Sequence, residues 1–345
     1  MKLVDSHIHI WAQSQLDTLA WQTKDGPLYS QFSIDQYEEA AQHGKGRDDE
    51  IAGFVFVEAD RKFSLNPVNW TEPVNEFKYA LAISRGSVGE GYTVENSKLL
   101  RGFVGWGPIP LGFYGMSQYV TELRELCDSE EELRRVLKGF RYLVQDKPLG
   151  TCTTEDFSEG VRWCGQNGYV FDLGVDFQNC RRPQLEEALQ LVRKTPDTLH
   201  LLSTSDKVRE LTVDHFAKPE LKVKETDESF PEWVDLMQQF ASCPNVYIKY
   251  SGLTSYLPCM SDSKELEEGL LSALPWVKKI VELFGTERMI WGSDWPVSNL
   301  NNVGLESGNW RIWRDASQRL LESCGLSPSE IEDIFHNNAV RVYKL

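Results

Sequence analysis

Eight short β-rich runs, most of them separated by stretches with apolar residues at helical spacing, constrain this chain more than any other feature. The runs lie near Leu3–Ile10, Ile51–Ala59, Arg101–Ile109, Gly139–Val144, Tyr169–Val175, Leu211–Phe216, Val246–Ser251 and Met289–Ser293. Helical spacing is plain in Leu185, Ala188, Leu189 and Val192, in Trp233, Leu236, Met237 and Phe240, and in Leu266, Leu270, Leu274, Val277 and Val281. Ser129-x-x-Glu132 and Ser327-Pro328-Ser329-Glu330 read as capping boxes that begin helices. Parallel strands need crossover connections, so the alternation predicts a parallel sheet covered by helices. Eight such units predict an α/β fold of the (β/α)8, TIM-like barrel type. A doubly wound open sheet is the alternative, but no G-x-G-x-x-G follows the first run and no G-x-x-x-x-G-K-[ST] occurs. For the sixth strand, Leu199–Leu202 competes with Leu211–Phe216; in that case His200 is an ordinary core or surface residue.

The whole chain, 1–345, reads as one barrel domain, with no repeat or linker. Two connections are long, residues 60–100 and 252–287, and loops that follow barrel strands lie on the active face. Apolar residues at 41% and charged residues at 26% are those of a globular protein. A net charge of −16 repels phosphate backbones and anionic membranes, so neither nucleic acid nor membrane is an expected partner. The longest apolar stretch, Gly102–Met116, is too short to span a bilayer. No signal peptide is visible at Met1-Lys2-Leu3-Val4-Asp5, and the seven scattered cysteines form no C-x-x-C pair. Reduced thiols in a cytoplasmic protein are therefore expected, and a homo-oligomer is compatible with the sequence.

His7-Ile8-His9 ends the first run. Strand side chains alternate, so both imidazoles point to one face, towards the barrel mouth. Two neighbouring imidazoles suit a divalent ion, zinc in particular, although H-x-H alone is a weak motif. The last run continues into Ser293-Asp294-Trp295-Pro296, which places Asp294 beside the first strand once a barrel closes. A carboxylate there can complete a metal shell or act as a general base on water. Asp214-His215 supplies a third imidazole at the end of the sixth run.

The combination of D-x-H-x-H (Asp5 to His9), D-H-x-x-K-P (Asp214 to Pro219) and G-S-D-W-P (Gly292 to Pro296) resembles the amidohydrolase superfamily, in its amidohydrolase-2 branch. The run Lys138 to Asp146 is similar to the G-x-R-H-x-x-Q-D segment of sugar-lactone hydrolases. Phe171-Asp172-Leu173, Asn245 to Leu253 and Asn338 to Tyr343 resemble their fifth strand, seventh strand and terminal motif. Within the branch the likeness is greatest to L-rhamnono-1,4-lactonases and the related L-fucono- and 2-pyrone-dicarboxylate lactonases. The resemblance implies an amidohydrolase-type barrel with long active-face loops that hydrolyses a sugar-acid lactone, such as L-rhamnono-1,4-lactone, to the aldonate. It implies His7, His9, His215 and Asp294 as metal or polarising groups around one divalent ion, zinc by its ligand chemistry. Some relatives need no metal. Asp294 becomes the base, His215 a catalytic partner, and Arg141 a cation holding a substrate oxygen, with a structural ion pair as its other reading.

Two positions and one segment depart from the family pattern, the segment being Thr195–Val213, which is longer than the usual connection before His215. Tyr142 stands where relatives commonly have His, so a different substrate hydrogen bond is expected there. Glu58 stands where relatives often show Gln, as a fourth ligand or as a hydrogen-bonding group at the substrate. Trp11, Trp106 and Trp295, with Tyr142 and Tyr250, lie at strand ends, where rings stack on sugars or simply fill a core. Competing functions are a non-oxidative decarboxylase of an aromatic or muconate acid, and a non-catalytic sugar-binding barrel.

Overall fold

The computed structural model describes residues 1–42, 49–145, 147–175, 177–203, 229–253, 268–299 and 309–345. Its centre is an eight-stranded parallel sheet: β1 (Lys2–Ile8), β2 (Glu50–Val57), β3 (Leu100–Trp106), β4 (Leu137–Leu143), β5 (Val170–Gly174), β6 (His200–Ser203), β7 (Val246–Ser251) and β8 (Met289–Gly292). The strands pair in chain order. The ring closes just past the last strand. Ile8 bridges Trp295, the Asp294 backbone N–H donates to the His7 carbonyl at 2.8 Å, and the His9 N–H donates to the Trp295 carbonyl at 2.8 Å. This is the (β/α)8 barrel that the alternation predicts.

Seven of the eight expected runs coincide with these strands apart from their ends; the sixth does not. Its place between β5 and β7 is taken by His200–Ser203, while Leu211–Phe216 and His215 lie outside the described residues. The reason is local. Helix Phe177–Lys194 ends close to β6, and the fully buried His200 ring finds a partner in the intervening turn, with Nε2 2.9 Å from the Thr195 hydroxyl. That contact satisfies Nε2 within the core.

Alternation along the strands sorts side chains into an outer and an inner layer. Phe54, Phe56, Phe103, Phe140, Phe171, Ile248 and Met289 face outward and pack beneath the helices. Inward, Val4, Val55, Val57, Val104, Val170, Leu201 and Ile290 form a compact apolar plug. The C-terminal helix Asn338–Tyr343 covers the N-terminal end of this plug with Ala339, Val342 and Tyr343. Two residues further along several strands the inward side chains become charged: Arg141 on β4, Asp172 on β5 and Lys249 on β7, all buried. An apolar floor beneath a charged layer is how this fold builds a site at the C-terminal ends of its strands.

Both capping boxes form helix starts. The Ser129 hydroxyl accepts the Glu132 N–H ahead of Glu130–Val136, and Ser327 and Glu330 cap Pro328–Glu332 reciprocally. The thiols of Cys127, Cys152, Cys164, Cys243 and Cys324 are free, and burial pushes Cys152 up to about 12. No helix among the described residues is long and apolar enough to cross a membrane.

Candidate active site

His7 and His9 stand at the upper end of β1, 0% and 2% exposed, with their Nε2 atoms 3.2 Å apart. Asp294, fully buried, places Oδ1 3.8 Å from His7 Nε2 and 3.5 Å from His9 Nε2. The structure thus brings together three of the four groups expected in the metal shell; the fourth, His215, lies outside the described residues. Asp294 is held by its backbone. Its φ of +59° is in the left-handed region, which an aspartate visits at a cost of order 1 kcal/mol, and its N–H and carbonyl are both engaged, by His7 and Ser298. Gly292 leaves room for the neighbouring strand: a Cβ there would meet His7 Cβ at 2.8 Å and His7 N at 3.0 Å.

Asp5 anchors the same junction from below. Its carboxylate accepts hydrogen bonds from the Ser293 N–H (2.8 Å), the Trp310 indole (2.8 Å) and the Tyr37 hydroxyl (3.1 Å). Burial pushes this carboxyl up to about 6, against the pull of the Ser293, Trp310 and His7 hydrogen bonds. It binds β1 to the chain segment that presents Asp294.

The two imidazoles are oriented differently. His9 Nδ1 sits 2.9 Å from the Val57 carbonyl and 3.0 Å from the Glu58 carbonyl. Carbonyls only accept, so Nδ1 carries the proton and the Nε2 lone pair faces His7 and Asp294. His7 Nδ1 is 3.0 Å from the Lys249 ammonium, which only donates, so its proton lies on Nε2 and points at His9. Lys249 in turn is paired with Asp172. A continuous chain results: Asp172, Lys249, His7, His9, Val57. Neither Lys249 nor Asp172 received a role from the sequence. The available signal was a lysine inside the otherwise buried run Val246–Ser251, where a solvated lysine has no place.

Two imidazole nitrogens and a carboxylate oxygen, all within 4.8 Å of one another, are a donor set that fits a divalent ion, and zinc best by chemistry. His9 presents its lone pair ready-made. His7 presents one once its Nε2 proton moves, which makes Lys249 a control on that ligand.

The other expected site residues have partners of their own. Arg141 donates from Nε to Glu58 Oε1 at 2.6 Å and from Nη2 to the Glu58 carbonyl at 2.5 Å, the structural ion pair weighed as its alternative. The second Glu58 oxygen accepts the Asp60 N–H at 2.6 Å, so Glu58 braces Arg141 and, through its carbonyl, His9, and stands outside the His–His–Asp cluster. Trp11 packs edge-on against Trp21 and Phe32 and donates its indole N–H to the Ser30 carbonyl. Trp295 lies against Phe32 and Tyr37, Trp106 against Phe63 and Tyr119, and Tyr142 between Phe63 and Phe157. All four rings are at most 5% exposed, so here they fill the core rather than offer open faces to a sugar.

A model of the Amidohydrolase family matches residues 124–345. Over 356 aligned residues the chain is 29% identical to L-rhamnono-gamma-lactonase from Scheffersomyces stipitis, covering 100% of this chain and 99% of that protein. It is 31% identical over 162 residues to L-fucono-1,5-lactonase from Burkholderia ambifaria, covering 46% of this chain and 49% of that protein. A crystal structure of an amidohydrolase from Burkholderia multivorans with bound zinc superimposes with a TM-score of 0.69 at 22% identity, covering 100% of both chains. That last likeness is one of fold.

Proposed function

The chain belongs to the amidohydrolase family, and we propose that, as an amidohydrolase of the lactonase type, it opens a sugar-acid lactone such as L-rhamnono-1,4-lactone to the aldonate. The observation that carries this reading is the buried Asp294 carboxylate, held by its backbone within 3.8 Å of two histidine nitrogens at the mouth of the barrel. The full-length likeness to the Scheffersomyces stipitis lactonase supports the substrate class.

In the reaction a water oxygen bonds to the ring carbonyl carbon, and the bond from that carbon to the ring oxygen breaks. Asp294 takes the proton from the attacking water and returns it to the departing ring oxygen, which leaves as a hydroxyl. The new carboxylic acid ionises to the aldonate. Negative charge develops on the carbonyl oxygen, and the preorganised Lys249–His7 pair presents positive potential to it from within a dry layer. His9 is kept in one tautomer by the Val57 and Glu58 carbonyls, and Arg141 fixes Glu58. A divalent ion, zinc by the donor set, would be held by His7, His9 and Asp294 with His215 and would supply polarisation of the lactone carbonyl. Arg141 therefore acts on substrate through the residues it positions.

The test is a panel of aldonolactones offered to the purified full chain, with acid release followed in the presence and absence of chelator and added zinc. Acid release from L-rhamnono-1,4-lactone is expected. Release of CO2 from an aromatic acid, without lactone turnover, would place the chain with decarboxylases and overturn the reading. Turnover of neither would leave a sugar-binding barrel.

A further inference from the structure

The end of the barrel opposite the histidines carries a cleft of about 1060 Å³ whose charge runs against that of the whole chain. Its basic side chains fall into two groups. Arg85, Lys98, Arg134 and Arg135 are committed to Glu132, Glu95, Glu130 and Glu132 respectively. Arg101, Lys138 and Lys344 form no ion pair with any described residue. Arg101 donates one hydrogen bond to the Ala52 carbonyl and Lys138 one to the Lys344 carbonyl, each at 3.0 Å, which leaves most of their donors uncommitted. Burial together with the charges of Arg101 and Lys344 holds the Lys138 ammonium below its usual range. Like charges are crowded here, and Glu131, also in the lining, pairs with none of the three.

The backbone makes room for this crowding. A Cβ on Gly53, whose φ is +139°, would lie 2.3 Å from Arg101 Cγ, and one on Gly102 would lie 2.5 Å from Lys138 Cγ. Two tyrosines close the inner side of the cleft. Tyr169 and Tyr343 line the same cleft, are 3% and 2% exposed, and their hydroxyls have no hydrogen-bond partner.

We propose that this cleft is a second, non-catalytic binding site for a phosphate ester of nucleotide or coenzyme size. Three uncommitted cations call for a ligand with more than one negative charge, which a monocarboxylate does not supply. Phosphoryl oxygens accept from lysine and arginine alike. Leu100 and the aliphatic stems of Arg101 and Lys138 give an apolar wall for the rest of the molecule, and the volume is that of a large small-molecule pocket. The net charge of −16 turns away a long polyphosphate backbone but leaves a compact anion free to enter.

Calorimetric titration of the full chain at low salt, with ATP, pyrophosphate and adenosine as probes, tests the proposal. ATP and pyrophosphate bind and adenosine does not; Lys138→Gln combined with Arg101→Gln weakens binding by at least about tenfold while lactone turnover is unchanged. Lys344→Gln, an exposed position, serves as a milder variant should the double substitution unfold the protein, as judged by circular dichroism. Absence of binding at millimolar probe overturns the site, and so does binding that none of the three substitutions weakens. An oligomer that Lys138→Gln dissociates, with no response to phosphate, assigns the cleft to a second copy of this chain and likewise overturns it.

Discussion

The two ends of the barrel solve opposite electrostatic problems. At the C-terminal ends of the strands the charges of the site are buried and engaged: Lys249 with Asp172 and His7, Arg141 with Glu58, Asp294 beside two imidazoles. At the other end Arg101, Lys138 and Lys344 stand at an open cleft and form no ion pair with any described residue. A buried charge must be paired within the fold, because desolvation otherwise costs several kcal/mol. An exposed one can be left for a guest. One end is built as a reaction centre that holds its own charge balance; the other keeps an imbalance in reserve.

The contrast can be broken most severely at Asp294. Asp294→Asn keeps the shape of the side chain and removes the proton acceptor, so kcat for the lactone is expected to fall about 10²–10⁴-fold with the thermal midpoint little changed. Wild-type turnover in that variant would remove Asp294 from the role of base. Next comes the same residue type at both ends. Lys249→Met takes the cation away from a buried carboxylate and is expected to cost about 3–5 kcal/mol of stability, whereas Lys138→Gln changes it by less than about 0.5 kcal/mol. Urea midpoints measure both, and equal losses would erase the distinction drawn here.

The third prediction sets Asp5, which supports the mouth, against His200, at the lower end of β6. Asp5 is raised to about 6, so its contribution is present below pH 3.8 and is lost as pH rises through 6. His200 is lowered by burial to about 4, so its contribution is present above pH 6.5 and is lost as pH falls through 4. Each is worth about 3 kcal/mol by linkage, with opposite slopes across the same interval. The stability margin of wild type over His200→Gln should therefore widen by about 3 kcal/mol from pH 4 to 6.5. The margin over Asp5→Asn should narrow by a similar amount from pH 4 to 6. Parallel pH curves for wild type and either variant would contradict the assignment.

How far these ends were legible in the sequence depends on the range of the physics involved. Strand positions and the His7, His9 and Asp294 convergence follow from a two-residue period and from ring closure, both of which a linear reading supplies. The sixth strand differs from the expected run because two apolar runs lie between one helix and the next, and pairing of His200–Ser203 with both neighbouring strands, with the Thr195–His200 contact, selects the first. Trp11 and Trp295 read equally well as sugar platforms or core, since what covers a ring comes from distant segments. Arg141 showed its charge and its strand end, but not that Glu58 occupies it. The basic cleft was hidden by the sum: −16 over the whole chain says nothing of three cations gathered from two strand ends and the end of the C-terminal helix.

The junction of β8 with β1 has a consequence in time as well as in space. Ser293 and Asp294 meet Asp5 and His7 across a sequence separation of 288 residues in one of these contacts, so the proposed reaction centre is a seam joining the two extremes of the barrel. Closing a loop of that length costs on the order of 5 kcal/mol in chain entropy, and the cost falls due before any of these contacts can form. The base and the imidazoles therefore come together only as the ring shuts, and no partly folded intermediate with an open ring can hydrolyse the lactone. Recovery of turnover during refolding should trail the recovery of helical signal, and catalysis itself becomes the reporter of a completed barrel.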